Sequence, residues 1–593
     1  MPFRRSFCLL LALIVPLSLW FTLSPAIAAG GDSLAGDARR PPARPTLASA
    51  DDPHPSLTQP SAFMAGRVAV QVIFVESDGS AEPSTENWTP DQISVIMGHI
   101  GSALDWWRAR LPNARLSFAL TSSVVGSRYE PITHNIDAEG LWIGDALART
   151  GFSSASYFDQ AYAADDALRR AHGADWGTTI FIANSAADDD GRFADGLFAY
   201  AYIGGPFLVL TSDVGAYSTA QLAPVATHEL GHIFGALDQY ASAATPCSQQ
   251  SGYLAVPTTN SEAGGCGTHF VCIMLSPSAA YPSGQVDDSA LGQIGYRDTD
   301  GDGIPDPLDT TPAAQFTITQ PASGGRPIVA GRAADQPYPS ASETPATINT
   351  IAHVEYRIDG MDWIELPASD GAYDNAVESI TATLPLYDGQ HHVELRAINS
   401  AGTASPVISQ SVTLSGVGAE PAYQVGAPAL SNSADITITL AAPDGSSAQI
   451  SEDSFFSAAA WAPATASASW RLRPTDGVHT VYVRFRDSSG LESPPFSRSI
   501  VLDRTPPTGR ALIHGGDAPW LELQAQDSGS GVAAVQLGVG TTSGAWQPFQ
   551  SSLPIPPGMT NIQVRLRDAA GNLSAPIAAQ SSRLIYIPLV SKP

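Results

Sequence analysis

Three stretches of this chain are variants of one pattern: DGQHHVELRAINSAG from Asp388, DGVHTVYVRFRDSSG from Asp476 and PGMTNIQVRLRDAAG from Pro557. Each opens with a turn and alternates apolar residues through Val393, Val481 or Ile562. Each then carries an arginine (Arg396, Arg484, Arg565) and closes at a glycine (Gly402, Gly490, Gly571). Alternation with a period of two puts the apolar side chains on one face of a strand. A strand that recurs 88 and then 81 residues on (388, 476, 557) has the repeat length of an immunoglobulin-like β-sandwich. The pattern therefore predicts three all-β sandwiches in tandem, over 313–416, 417–504 and 505–585, with DRTPPTG from Asp503 as the second boundary. Trp363 and Trp470, upstream of the first two repeats, read as core. The apolar end LIYIPLVSKP, with 586–593 as a tail, reads as a sorting or assembly signal or as a last edge strand.

The N-terminal half has a different texture. With 593 residues the chain exceeds one hydrophobic core. Its first 28 residues run from Arg4 and Arg5 through an apolar stretch to Ala26-Ile27-Ala28, the layout of a secretory signal peptide; an uncleaved anchor is the alternative. Residues 29–65, rich in Pro, Ala and Asp, read as a disordered linker or a short pro-segment. From Arg67 strands and helices alternate. RVAVQVIFVES is a buried strand, and Thr89-Pro90-Asp91-Gln92 is a capping box opening a helix. A strand near ARLSFALTSS, a helix near FDQAYAADDALRRAHG and a strand at GTTIFIANS follow. This order predicts an α/β domain over 66–297, built on a twisted, mostly parallel sheet. AYAYIGGP then supplies an edge strand interrupted by glycine and proline. No later apolar run is long enough to span a bilayer, so a secreted or cell-surface monomer without a transmembrane segment is expected. A formal charge of −27 argues against nucleic-acid partners, which need clustered Lys and Arg.

Within this domain lies HELGHIFGALDQY, from His228. Histidines four apart on a helix project from one face and can aim ring nitrogens at one metal ion. Glu229 beside them is placed to accept a proton from water. Pro224 puts the helix start close by. Gly235 breaks the helix one turn after His232, in a left-handed conformation, so that the chain folds back and presents Asp238 as a third ligand. Three protein ligands and an open position describe a catalytic zinc site. The motif resembles that of the metzincin-type secreted zinc metalloproteases in its HExxHxxGxxD variant, as in snapalysin-like and immune-inhibitor-A-like enzymes. The resemblance spans roughly Arg67 to Asp309. It implies a methionine beneath the metal, for which Met274 is placed, and hydrolysis of peptide bonds by a zinc-activated water with Glu229 as general base. A tyrosine common two residues after that methionine is replaced by Ser276, which leaves Tyr240 and Tyr281 as loose candidates for its role. The peptide substrate is expected as an added strand along AYAYIGG.

Two further features stand near the motif. DTDGDGIPDPLD places Asp298, Asp300, Asp302, the Ile304 carbonyl, Asp306 and Asp309 at the ligand positions of a calcium loop, in a junction over 298–312. Cys247, Cys266 and Cys272 imply one disulfide and one leftover thiol in an oxidising compartment; a structural metal site that also uses His269 is the alternative. ADDDGRFADG reads as a plain polar loop. The sequence thus points to a secreted zinc endopeptidase with structural calcium, whose sandwiches bind a glycan, surface or protein target. The rival is a calcium-dependent adhesin whose protease-like domain is inactive.

Overall fold

The structure is a computed structural model that describes residues 37–42, 53–84, 86–266, 270–322, 325–419, 421–488, 490–540 and 542–581. The expected signal peptide and the tail lie outside the described residues. The N-terminal half is built on a six-stranded sheet of β1 (Asp37–Arg39), β2 (Arg67–Ser77), β3 (Ser117–Ser127), β4 (Trp176–Ala183), β5 (Ala199–Tyr202) and β6 (Phe207–Thr211), in the order β1-β5-β6-β4-β2-β3. Every neighbouring pair is parallel except β5 and β6. β4, inside the sheet, is buried along its whole length, as a strand covered on both faces must be.

Helices fill the two faces. α1 (Pro90–Arg110) and α4 (Leu222–Ile233) lie on one side, where Ile100, Leu104, Trp107, Val225 and Leu230 share a core with Val70, Val72 and Phe74. α2 (Glu139–Arg149) and α3 (Tyr157–Ala171) lie on the other, where Trp142, Ile143 and Phe158 meet Ile73, Phe181 and Phe207. The capping box is formed: Thr89 Oγ1 accepts from Gln92 N and Gln92 Oε1 accepts from Thr89 N, at 3.3 and 2.9 Å. α2 is absent from the elements expected above, although its buried Trp142, Ile143, Ala146 and Leu147 recur at helical spacing.

The expectation of disorder over 29–65 is corrected for the part that is described. Ser61–Ala65 is core: Phe63 packs edge-on against Trp176 and Tyr253, at 4.8 and 5.1 Å between ring centroids. Met64 N donates to Ile294 O, and Ser61 Oγ donates to Ile233 O, both at 2.8 Å. An apolar cluster this short carries no periodicity, so a reading by period passes over it. Asp37–Arg39 is β1 itself.

The C-terminal half consists of three two-sheet β-sandwiches. The first pairs a three-stranded with a four-stranded sheet between Ala313 and Leu414. The second pairs three strands with five, and the third four with four. The repeated segments form the strands Gly389–Asn399, Gly477–Arg486 and Ile562–Asp568, and Val393, Val481 and Ile562 enter the three cores. Trp470 packs against the second core. Trp363, expected in a core, instead lies beneath the guanidinium groups of Arg357 and Arg396, whose cation–π contacts hold an aromatic ring at the surface.

The first sandwich is docked on the α/β domain by hydrogen bonds from one extended segment. Tyr253 Oη donates to Tyr338 O at 2.5 Å and accepts from Ala346 N at 3.0 Å, and Ser342 Oγ donates to Gly252 O at 2.7 Å. Glu343, in the same segment, faces Gln59. Burial pushes its carboxyl up to about 7 against the Gln59 hydrogen bond. The folded chain therefore holds a proton there that the unfolded chain gives up at the ordinary carboxylate value, so stability falls as pH rises from about 4.5 through 7. Thermal unfolding at pH 5 and pH 8 should show Glu343→Gln raising the Tm relative to wild type at pH 8 and leaving it nearly unchanged at pH 5.

Candidate metal centre

α4 carries both histidines, and its neighbours fix how they point. Trp107 Nε1 on α1 donates to Thr227 O at 2.9 Å, which anchors α4 one residue before the motif. His228 Nδ1 lies 2.9 Å from Ile273 O, and His232 Nδ1 lies 2.8 Å from Ala236 O. A carbonyl only accepts, so each Nδ1 carries the proton and each Nε2 presents a lone pair. Gly235, at φ +98°, turns the chain back, and Asp238 arrives opposite. Its backbone neighbour is clamped: Gln239 N donates to Met274 O at 3.0 Å, and Gln239 Nε2 donates to Asp287 Oδ2 at 2.7 Å.

The outcome is a triangle of three donor atoms. His228 Nε2 and His232 Nε2 are 3.1 Å apart, and Asp238 Oδ1 stands 3.0 and 3.1 Å from them. Zinc with bonds of 2.0–2.1 Å in tetrahedral array needs ligand edges of about 3.3 Å, so the triangle fits such an ion to within a few tenths of an ångström. The donor set fits as well, because two imidazole lone pairs and a carboxylate this close need a cation between them.

The surroundings are closed. His228, Glu229 and His232 are fully buried and Asp238 nearly so. Met274 lies beneath the helix: a Cβ placed on Gly231 would come within 2.7 Å of Met274 Sδ, so a larger residue between the two histidines would have to displace the methionine. The Tyr240 ring lies 6.3 Å from that of His228, whereas Tyr281 stacks on Trp106, away from the motif. Ser276 stands just before the helix Pro277–Ser283, without a side-chain capping hydrogen bond. One contact has no counterpart in the sequence reading: Ala38 N on β1 donates to Asp238 Oδ2 at 3.3 Å. No sequence signal marked Ala38, because a three-residue strand carries no pattern.

The other singled-out residues divide. Cys247 and Cys266 form a disulfide and Cys272 is free and buried, so the alternative metal site, which needs all three thiolates with His269, is not formed; His269 lies outside the described residues. Burial, with Asp287 adding to it, pushes the Cys272 thiol up to about 12. In the acidic loop the carboxylates of Asp298, Asp300 and Asp302 come together within 4.8 Å, all exposed. Asp306 does not join them. It accepts instead from Thr299 N and Oγ1 at 2.7 and 2.6 Å. Asp309 also stands outside the trio, and Ile304 is engaged through its N–H by Asp302. The ADDDGRFADG aspartates bond to backbone N–H groups: Asp188 to Gly191, Asp190 to Arg192, Asp195 to Leu197 and Ile136. A second carboxylate trio, Asp503, Asp527 and Asp568, was not anticipated; its only sequence sign is an aspartate opening DRTPP, DSGSG and DAAGN.

No protein-family description matches the chain, and no curated protein sequence does. Solved structures similar to it are arrays of β-sandwiches. The chicken CNTN1 FN1–FN3 domains match at 14% identity over 45% of this chain and 96% of theirs, with a TM-score of 0.19. The Clostridium thermocellum CbhA fibronectin(III)-like modules match at 20% over 32% and 94%, with a TM-score of 0.12. A tetra-tandem repeat from the extending region of a large adhesion protein matches at 18% over 46% and 73%, with a TM-score of 0.13. The sandwich assignment stands on the sheets themselves, and the metzincin resemblance on the motif residues alone.

Two outcomes follow from this geometry. Gly235→Ala adds a Cβ 2.6 Å from Gly252 Cα at a positive φ. It should cost at least about 1–2 kcal/mol in chemical denaturation and weaken zinc binding in a competition titration. Cys272 should resist iodoacetamide in the native protein and react once the chain is unfolded in denaturant, read by mass spectrometry.

Proposed function

We propose that the chain is a secreted zinc-dependent endopeptidase. The observation that carries this reading is the buried triangle of His228 and His232, on a helix that also bears Glu229, with Asp238, on the chain that turns back after that helix, beside β5 of the sheet. His228, His232 and Asp238 are the residues that would hold the ion, in the tautomers that Ile273 O and Ala236 O impose. When bound, zinc supplies Lewis acidity, polarising the scissile carbonyl and making water a nucleophile near neutral pH. Glu229 accepts the proton released in the attack and returns it to the leaving amine. Asp238 offsets one positive charge of the cation. The peptide lies along β5 by strand addition, in the position that β1 takes in this structure.

The remaining parts support that role. Asp298, Asp300 and Asp302 would hold calcium at the junction between the α/β domain and the first sandwich; three exposed carboxylates this close repel one another without a cation. The three sandwiches would carry binding to a protein, glycan or cell surface. The absence of a helix long and apolar enough to cross a membrane among the described residues is compatible with export. The rival, a binding protein with an idle metal site, draws on the same sandwiches and on the closed state of the site.

Purified protein should contain one equivalent of zinc and, once residues 29–42 are removed, cleave casein, and 1,10-phenanthroline should abolish cleavage. Glu229→Gln should keep the zinc and lower kcat about 10²–10⁴-fold. Zinc-loaded wild type that cuts nothing in a peptide library, after removal of residues 29–42, would favour the rival. Replacing Asp300 and Asp302 together by Asn should abolish any calcium-dependent rise in Tm.

A further inference from the structure

β1 pairs in parallel with β5, Asp37 opposite Tyr200, Ala38 opposite Ala201 and Arg39 opposite Tyr202. Ile203 N donates to Arg39 O at 2.7 Å, extending the ladder. Paired residues share a face of the sheet, so Arg39 lies on the side of Tyr202, away from α4, while Ala38 lies toward α4 with its N–H on Asp238. On the Arg39 side stands Glu139, the first residue of α2 and almost completely buried. Its Oε1 accepts from Tyr157 Oη at 2.8 Å and from Tyr202 Oη at 2.5 Å, and the Tyr200 hydroxyl acts on the carboxylate as well. Its Oε2 accepts no hydrogen bond among the described residues. The Arg39 guanidinium reaches this carboxylate electrostatically, and its Nε is enclosed.

A buried carboxylate with a spare oxygen is costly unless a cation faces it. α2 helps through its N-terminal dipole, and the three tyrosines can donate but bring no positive charge. Burial pushes the Glu139 carboxyl up, and the tyrosines and then Arg39 pull it down. Arginine suits such a place because it stays charged, donates in a planar fork and packs its guanidinium against aromatic rings.

We propose that Glu139, ringed by Tyr157, Tyr200 and Tyr202, is a subsite for the arginine side chain of a peptide lying along β5, and that this chain fills it with its own Arg39. The segment 37–42 is then a tethered occupant of the peptide position. It holds the ladder of β5, covers Asp238 through Ala38 N, and places arginine one residue from the backbone that faces the metal ligands. What such a peptide is for rests on the peptidase reading, whereas the subsite itself is tested by binding.

The test uses the full chain carrying Arg39→Ala together with Glu229→Ala, so that bound peptide stays intact. The probe is a capped peptide of residues 35–42, AGDARRPP, titrated by calorimetry. The Arg39→Ala chain should bind it about ten- to hundredfold more tightly than the chain with Arg39 in place. Citrulline at the first arginine, which keeps the shape and removes the charge, should lose about the same factor, as should alanine. Glu139→Gln in the same background should equalise the arginine and citrulline peptides. The citrulline comparison needs no change at Glu139, so it decides the matter even if that variant does not fold. Equal binding of arginine and citrulline peptides, or no binding to either chain, overturns the proposal. Arginine-dependent binding without proteolysis in the Glu229-containing chain would retain the subsite and remove the peptidase reading. Proteolysis indifferent to arginine would do the reverse.

Discussion

The centre depends on two hydrogen bonds that point away from it. Ile273 O and Ala236 O each take the Nδ1 proton of a ligand histidine. Without them the rings could rotate or exchange tautomers, and the Nε2 lone pairs would no longer share a point with Asp238. One of the carbonyls is local, four residues along the same chain turn. The other comes from the 272–276 strip, which also supplies Met274 beneath Gly231 and the carbonyl that clamps Gln239. A single strip therefore positions one histidine, supports the helix and fixes the residue beside Asp238.

That strip is in turn held from several sides. Cys272 Sγ accepts from Met274 N and Asp287 N, and Ile273 N donates to Gln285 O. The sheet contributes the other wall: Gly204 N, just after β5, donates to His232 O at 3.0 Å. His232 and the strand proposed to receive peptide are thus joined by a main-chain hydrogen bond. Rigid elements on both sides leave little freedom in the donor triangle, which is what a site needs if the ion is to keep an open position.

Charge is handled differently on the two faces of the sheet. At the centre two imidazoles face a carboxylate. On the opposite face of the sheet the buried Glu139 is met by tyrosine hydroxyls and by Arg39. Both are acidic groups in low-dielectric surroundings, and both are made tolerable by a partner distant in sequence, 200 residues from Asp238 in the case of Ala38. The overall charge of −27 says nothing about either, since it averages over surface carboxylates that water solvates.

The sequence by itself determined what is periodic or local. Alternation in the three repeated strands gave the sandwiches, the capping box gave α1, and a four-residue histidine spacing with Gly235 gave the shape of the metal motif. It did not determine what depends on short segments meeting across the fold. Phe63 in the core, the three-residue β1 on β5, Asp306 turned to Thr299, and Glu139 among three tyrosines carry no local signature. Each is decided by packing and by the need of a buried polar group for a partner, and the partners are chosen only when the chain has folded.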